Sequence, residues 1–170
     1  MPESDSQPEK IYRLMETKAE SRNAIVSVLA VAQREIRIFD ADPKAMKERE
    51  LGERDQIETL RLFFVASRDH RMRIALHDTR GIEGDLPRLI ALLIQFSGQI
   101  QIHRTLGRAS EARDAMVIGD DAHFWRKLNV DHPRSVLTMY DAGGTRPFLE
   151  RFEEIWDQSE LAVTGSSLGL

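Results

Sequence analysis

The chain has 170 residues and no cysteine, a length that fits one domain and a composition that excludes disulfides, thiolate metal sites and a cysteine nucleophile. Apolar residues make up 41% of it, enough for a real core and against global disorder. The net charge of -4 argues against a protein built mainly to hold nucleic acid.

Residues 1–10, MPESDSQPEK, are polar, lack the apolar core of a signal peptide and read as a disordered N-terminus. From Ile11 to Gln33 the pattern is helical, with Ala19, Ile25, Val28, Leu29 and Ala32 on one stripe. Glu35–Phe39 alternates like a strand and stops at a turn before Pro43. Residues 44–53 are charged and read as loop or frayed helix. Arg54–Ser67 returns to helical spacing through Ile57, Leu60, Phe63 and Phe64.

Arg71–Asp78 is a second strand, followed by a turn over Gly81–Gly84. Asp85 is placed to cap the next helix, with Pro87 in its first turn and Leu86, Leu89, Ile90, Leu93 and Phe96 on its buried face. Gln99–His103 is a third strand, and Arg104–Arg113 a polar loop. Ala115–Ile118 is apolar on both faces, which predicts a central strand, with His123–Arg126 as its hairpin partner. Ser135–Tyr140 is a further strand. Gly143-Gly144 breaks the chain, and Thr145 starts a helix carrying Phe148, Leu149, Phe152, Ile155 and Trp156 on one face. Residues 159–170 read as a flexible C-terminal tail.

Helices alternating with short strands imply an α/β fold with a mixed, largely parallel β-sheet sandwiched between helices, one domain over residues 11–158. The longest apolar runs, Ala24–Ala32 and Leu89–Ile94, are short of the ~20 residues that a membrane span needs, so a cytoplasmic protein is expected. Charge is uneven along the chain. Residues 1–53 carry 9 basic and 11 acidic side chains, residues 54–113 carry 10 and 7, and residues 114–170 carry 5 and 10. Every basic side chain of the middle third is arginine, whose planar fork suits phosphate and carboxylate, although a solvated arginine-rich surface is the preferred reading.

The element order, with a central strand ending in Asp, a hairpin, Asn129 and a closing helix spaced Phe148-x-x-x-Phe152-x-x-x-Trp156, resembles one half of the phospholipase D (HKD phosphodiesterase) superfamily. It is also similar to uncharacterised bacterial domains of that fold. The resemblance covers roughly Gln33 to Trp156 and is most specific over Arg113–Asn129. The family's motif is H-x-K, four residues, then D. With Asp120 in the aspartate place, Arg113 and Ala115 stand for histidine and lysine. With Asp121 there, Asp114 and Met116 do. The G-S-x-N that follows in the family is reduced to Asn129. In the family the histidine attacks phosphorus and the lysine neutralises phosphoryl oxygens. Arginine stays protonated and alanine or methionine offers no charge, so the resemblance implies a degenerate site with no catalytic residue of the family type.

Ligands of open α/β sheets bind beyond the carboxyl ends of the strands. Those ends carry Asp40, Asp42, His77, Asp78, Thr79, Arg80, His103, Arg104, Asp120 and Asp121 in this reading. His77 and His103 are candidates for proton transfer, and His77, Arg80, His103, Arg104 and Arg113 for holding an anion such as a phosphate-containing ligand. Ordinary polar strand ends remain the alternative. No H-E-x-x-H, G-x-S-x-G, Walker A or G-x-G-x-x-G is present, so no metal and no cofactor is expected. The expectation is a non-catalytic binding, regulatory or accessory module. Its rivals are a phosphodiesterase or nuclease with a rebuilt site, and a nucleic-acid binder that has lost cleavage. A single half with an apolar face to cover implies a homodimer.

Overall fold

The computed structural model describes residues 6–165. Its elements in chain order are β1 Ile11–Met15, α1 Lys18–Val31, β2 Glu35–Asp40, α2 Pro43–Glu48, α3 Arg54–Ala66, β3 Arg71–Leu76, α4 Ile82–Asp85, α5 Pro87–Gln95, β4 Ile100–Thr105, a 3₁₀ turn Gly107–Glu111, β5 Ala115–Gly119, β6 His123–Lys127, β7 Ser135–Met139, α6 Ala142–Asp157 and β8 Ser159–Val163. The strands form one sheet in the order β1-β7-β6-β5-β2-β3-β4-β8.

Side chains alternate across a strand, and the sheet uses both faces. On one face Ile36, Ile38, Ile74, Val117 and Trp125 pack with Ile25, Val28 and Leu29 of α1, Leu60 and Phe64 of α3, and Leu89 and Leu93 of α5. On the other, Phe39, Ala75, Met116, Ile118 and Phe124 pack with Phe152 and Ile155 of α6. Strand β5 is buried along its whole length, as its two-sided apolar sequence predicts. It ends where α1 comes closest: a Cβ on Gly119 would stand 3.0 Å from the Val28 carbonyl oxygen. Glycine is therefore required there to let helix and strand approach.

Five sequence expectations need correction. The sheet is mixed but not largely parallel: only β2–β3 and β3–β4 are parallel. The β1–β7, β6–β7, β5–β6, β2–β5 and β4–β8 pairs are antiparallel. Strand β5 follows β4 through a single 3₁₀ turn, with no helix to carry a parallel crossover, and it pairs instead with the far side of β2. Ile11–Met15 is an edge strand rather than the start of α1. The helix begins after Thr17, whose hydroxyl accepts the Glu20 N–H. Residues Ser159–Val163 of the expected loose tail form β8 against β4, while residues 166–170 lie outside the described residues, as do residues 1–5 of the expected disordered N-terminus. Asp85 caps nothing, since it closes α4 and Leu86 precedes α5. Gly143 and Gly144 likewise sit inside the first turn of α6, where Asp141 accepts the Gly144 N–H.

Phe152 is wholly buried between α6 and the sheet, whereas Trp156 is only partly covered. Phe152→Ala should cost ~3–5 kcal/mol, a large part of a domain's ~5–15. Trp156→Ala should cost clearly less. Chemical denaturation of the two variants checks this ranking.

Candidate functional site

The carboxyl ends of β3 and β4 open onto a cleft of about 610 Å³ lined by His77, Asp78, Thr79, Arg80, Arg104, Glu160, Leu161 and Ala162. Three of the five expected anion-binding residues, His77, Arg80 and Arg104, therefore come together. None is idle. The Arg80 guanidinium forks onto Asp78 at 2.7–3.0 Å, and Arg104 pairs with Glu160 at 2.6 Å. The His77 Nε2 stands 2.7 Å from the Ala112 carbonyl oxygen, which can only accept, so the neutral ring carries its proton on Nε2. Its Nδ1 then accepts from the Thr105 hydroxyl at 2.6 Å. His77 ties the ends of β3 and β4 to the approach of β5, and both nitrogens are spent on that.

His103 and Arg113 lie elsewhere. His103 points to the α6 face, where its ring stacks on Trp156 at 3.6 Å and Nδ1 meets Ser159 Oγ at 2.7 Å. Burial, with Arg73 nearby, holds its pKa below the usual histidine value, and the ring serves packing against α6. Arg113 is ion-paired with Asp131 at the mouth of the β6–β7 loop. Asp120 and Asp121 also leave the expected cluster. Because β5 runs against β2, they lie beside Glu35 at the amino end of β2.

The two aspartates offered for the motif differ in structure. The φ of Asp120 is +54, a left-handed conformation that aspartate tolerates, and its carboxylate accepts the backbone N–H groups of Gln33, Arg34 and Glu35 at 2.8–3.2 Å. It clamps the strand end to the start of β2, whereas Asp121 is exposed and pairs with Arg34. In the Asp120 register the lysine place, Ala115, is fully buried. In the other, Met116 is equally buried and Asp114 is held by Arg151 at 2.6 and 2.8 Å and by Arg126 at 3.5 Å. The guanidinium of Arg151 pulls the Asp114 carboxyl below its usual range against the opposing effect of burial. Of the four motif places, Ala115 and Met116 are fully buried, Asp114 is ion-paired and buried, and Arg113 is ion-paired at the surface.

Sequence reasoning missed a buried ion pair at the carboxyl end of β2. Asp40, 1% exposed at the end of β2, receives Arg49 through Nε at 2.6 Å and Nη2 at 3.1 Å. The same guanidinium lies over Trp125 at 4.9 Å. Lys127 of β6 is the cross-strand partner of Ala115. Its pKa is lowered by burial and by Arg49, with Lys18 adding to the effect and Asp40 and Glu48 opposing it. Arg49 sits in a charged stretch with no periodic signal, so only its position beside a strand-ending aspartate hinted at this pair.

A family model described as a domain of unknown function, DUF7931, matches residues 17–164. The chain belongs to this family. No curated protein matches it. Among solved structures, the DUF7931 chain is similar to Nuc from Salmonella typhimurium, a phospholipase D family member, at 16% identity and TM-score 0.61 over 92% of this chain and 100% of that one. NucT from Helicobacter pylori gives 12% and 0.59 over 91% and 100%. TrmBL2, an archaeal chromatin protein with a novel mode of DNA binding, gives 16% and 0.57 over 94% of this chain and 57% of that one. The fold is therefore phospholipase D-like, as the resemblance in sequence implies, and at these identities the likeness concerns the fold alone.

Among the described residues, no helix is long and apolar enough to cross a membrane, and no three His, Asp or Glu side chains gather as metal ligands. Two measurements test the geometry. The hydrogen bonds from Arg80 depress the Asp78 carboxyl to about 2 from an ordinary value of 3.8. Because the folded value is the lower one, the Asp78 contribution to stability is present above the unfolded pKa and is lost as pH falls through about 2. Carboxyl NMR titration should find that midpoint, and Arg80→Ala should return it toward the ordinary value. Removing one partner of a buried ion pair typically costs ~3–5 kcal/mol, so Arg49→Met should be strongly destabilising. Adding Asp40→Asn to it should recover part of the loss, because the stranded charge is gone, and a double-mutant cycle by denaturation reads this.

Proposed function

We propose that this DUF7931 chain is a phospholipase D-like module that acts by binding rather than by phosphodiester cleavage. One observation supports this most: whichever aspartate is aligned, the places of the family's histidine and lysine hold side chains that are ion-paired or fully buried. A nucleophile must be deprotonatable and reachable, and Arg113, Ala115, Asp114 and Met116 offer no such nucleophile together with a cation for the phosphoryl oxygens. The nearest histidine, His77, has both ring nitrogens engaged.

The working unit under this reading is a homodimer. Edge strand β1 leaves Tyr12 and Leu14 at 69% and 64% exposure, beside a groove of about 340 Å³ lined by Phe124, Leu128, Val136 and Phe148. An unpaired strand edge with apolar side chains favours association. Light scattering at micromolar concentration should give about twice 19.5 kDa.

The purified protein should neither hydrolyse bis-p-nitrophenyl phosphate nor nick plasmid DNA, with or without divalent metal. Robust turnover that disappears in His77→Ala would show a rebuilt catalytic centre and overturn the reading. Retention of DNA that falls steeply with salt, without cleavage, would instead identify a nucleic-acid binder.

A further inference from the structure

Four cationic side chains meet at the end of the sheet where the family's lysine place has become Ala115. Lys18 and Arg22 descend from the first turns of α1, Arg49 follows α2, and Lys127 closes β6. With Ser21, Ile25, Glu48 and Pro133 they enclose a cavity of about 40 Å³, above the ~10–15 Å³ that a single water occupies. We propose that this cavity is a binding site for a small tetrahedral oxyanion of the phosphate type, held by Lys127 and Lys18 with Arg22 and Arg49 behind them. The proposal rests on the reading of the chain as a non-catalytic binding module and names its ligand class and place, away from the cleft around Arg80 and Arg104.

The charge balance around the cavity supports it. The acidic groups that face it are Asp40, Glu48 and Glu50. Asp40 is satisfied by Arg49, and Glu50 pairs with Arg22 at 3.4 Å. Arg22 also donates through Nε to the Glu48 carbonyl at 3.0 Å, which fixes it against the cavity wall. Two lysines then face one remaining carboxylate, Glu48. Among the described residues Lys127 has neither a hydrogen bond nor an ion pair from its ammonium group within contact distance, and its charge is opposed by Arg49 and Lys18. An anion between the lysines relieves that repulsion and satisfies donors that the fold leaves over. The Ser21 hydroxyl, hydrogen-bonded to the Ser135 hydroxyl at 2.6 Å, lines the rim.

The enclosed volume selects for size as well as charge. A cavity this small suits a free oxyanion such as inorganic phosphate or sulfate better than the phosphodiester of a polymer, which carries two further substituents. A free oxyanion is thus the preferred occupant over a nucleic-acid backbone.

The experiment is a titration of the full chain with inorganic phosphate, followed by calorimetry and by the NMR signals of its five lysines. Lys127 and Lys18 should shift, the Lys127 pKa should rise on saturation, and chloride at equal ionic strength should do neither. Lys127→Met should weaken binding at least about tenfold without lowering the melting temperature. Lys18→Met, at an exposed position, serves the same purpose if the first variant folds poorly, and Arg80→Met should leave binding unchanged. Unchanged affinity in both lysine variants, a response in which the Arg80 variant alone fails, or no response to phosphate would overturn the proposal. None of those outcomes restores phosphodiester turnover, so the assay of bis-p-nitrophenyl phosphate separates failure of this site from failure of the reading beneath it.

Discussion

Burial of β5 on both faces is the constraint from which the architecture follows. A five-residue strand with no exposed side needs cover above and below, so α1 must lie over one face and α6 over the other. Gly119 lets α1 approach, and Asp120, turned into a left-handed conformation, collects three N–H groups and clamps the strand to β2. The antiparallel setting of β5 then fixes which end of it meets the carboxyl ends of β2, β3 and β4. That end is Arg113-Asp114, where the family resemblance places its chemistry.

Here that end carries structure. Asp114 at that end, and Arg73 with Glu35 and Glu153 toward the other end of the sheet, bind α6 to the strands through charge-assisted hydrogen bonds that are partly or wholly shielded from water. Arg73 also lies over Phe152 and Trp156, so the helix is gripped by cation and ring together. On the opposite face Arg49 joins Asp40 and lies over Trp125.

Much of this was legible in the sequence, and what was not has physical reasons. The two-sided strand Ala115–Gly119, the hairpin after it and the apolar faces of α5 and α6 follow from periodicity alone, because burial writes itself into spacing. Strand β1 was hidden because its pairing with β7 joins residues more than a hundred positions apart, and Tyr12 and Leu14 break the alternation by staying exposed. Strand β8 was hidden because Glu160, Leu161 and Ala162 are all exposed, so no alternation of buried and exposed residues marks it. Sheet direction was misread because alternating helices and strands suggest parallel crossovers, while direction is set by the connection before β5. At the site, residue types placed His77, Arg80 and Arg104 together at the strand ends, but could not say that their donors were already used. Lys127 and Arg49 carry no motif, and only the register of β6 on β5 brings Lys127 beside Ala115.

An active site trades stability for function, so replacing its polar residues commonly stabilises a protein. A structural network behaves oppositely. The most direct measurement is therefore the unfolding free energy of Asp114→Asn, which keeps shape and removes the charge that Arg151 and Arg126 hold. If this strand end has been given over to structure, the variant loses about 1–3 kcal/mol, with Arg151 partly open to solvent limiting the cost. A variant more stable than the parent would contradict the account, because it would mean that Asp114 is kept for chemistry.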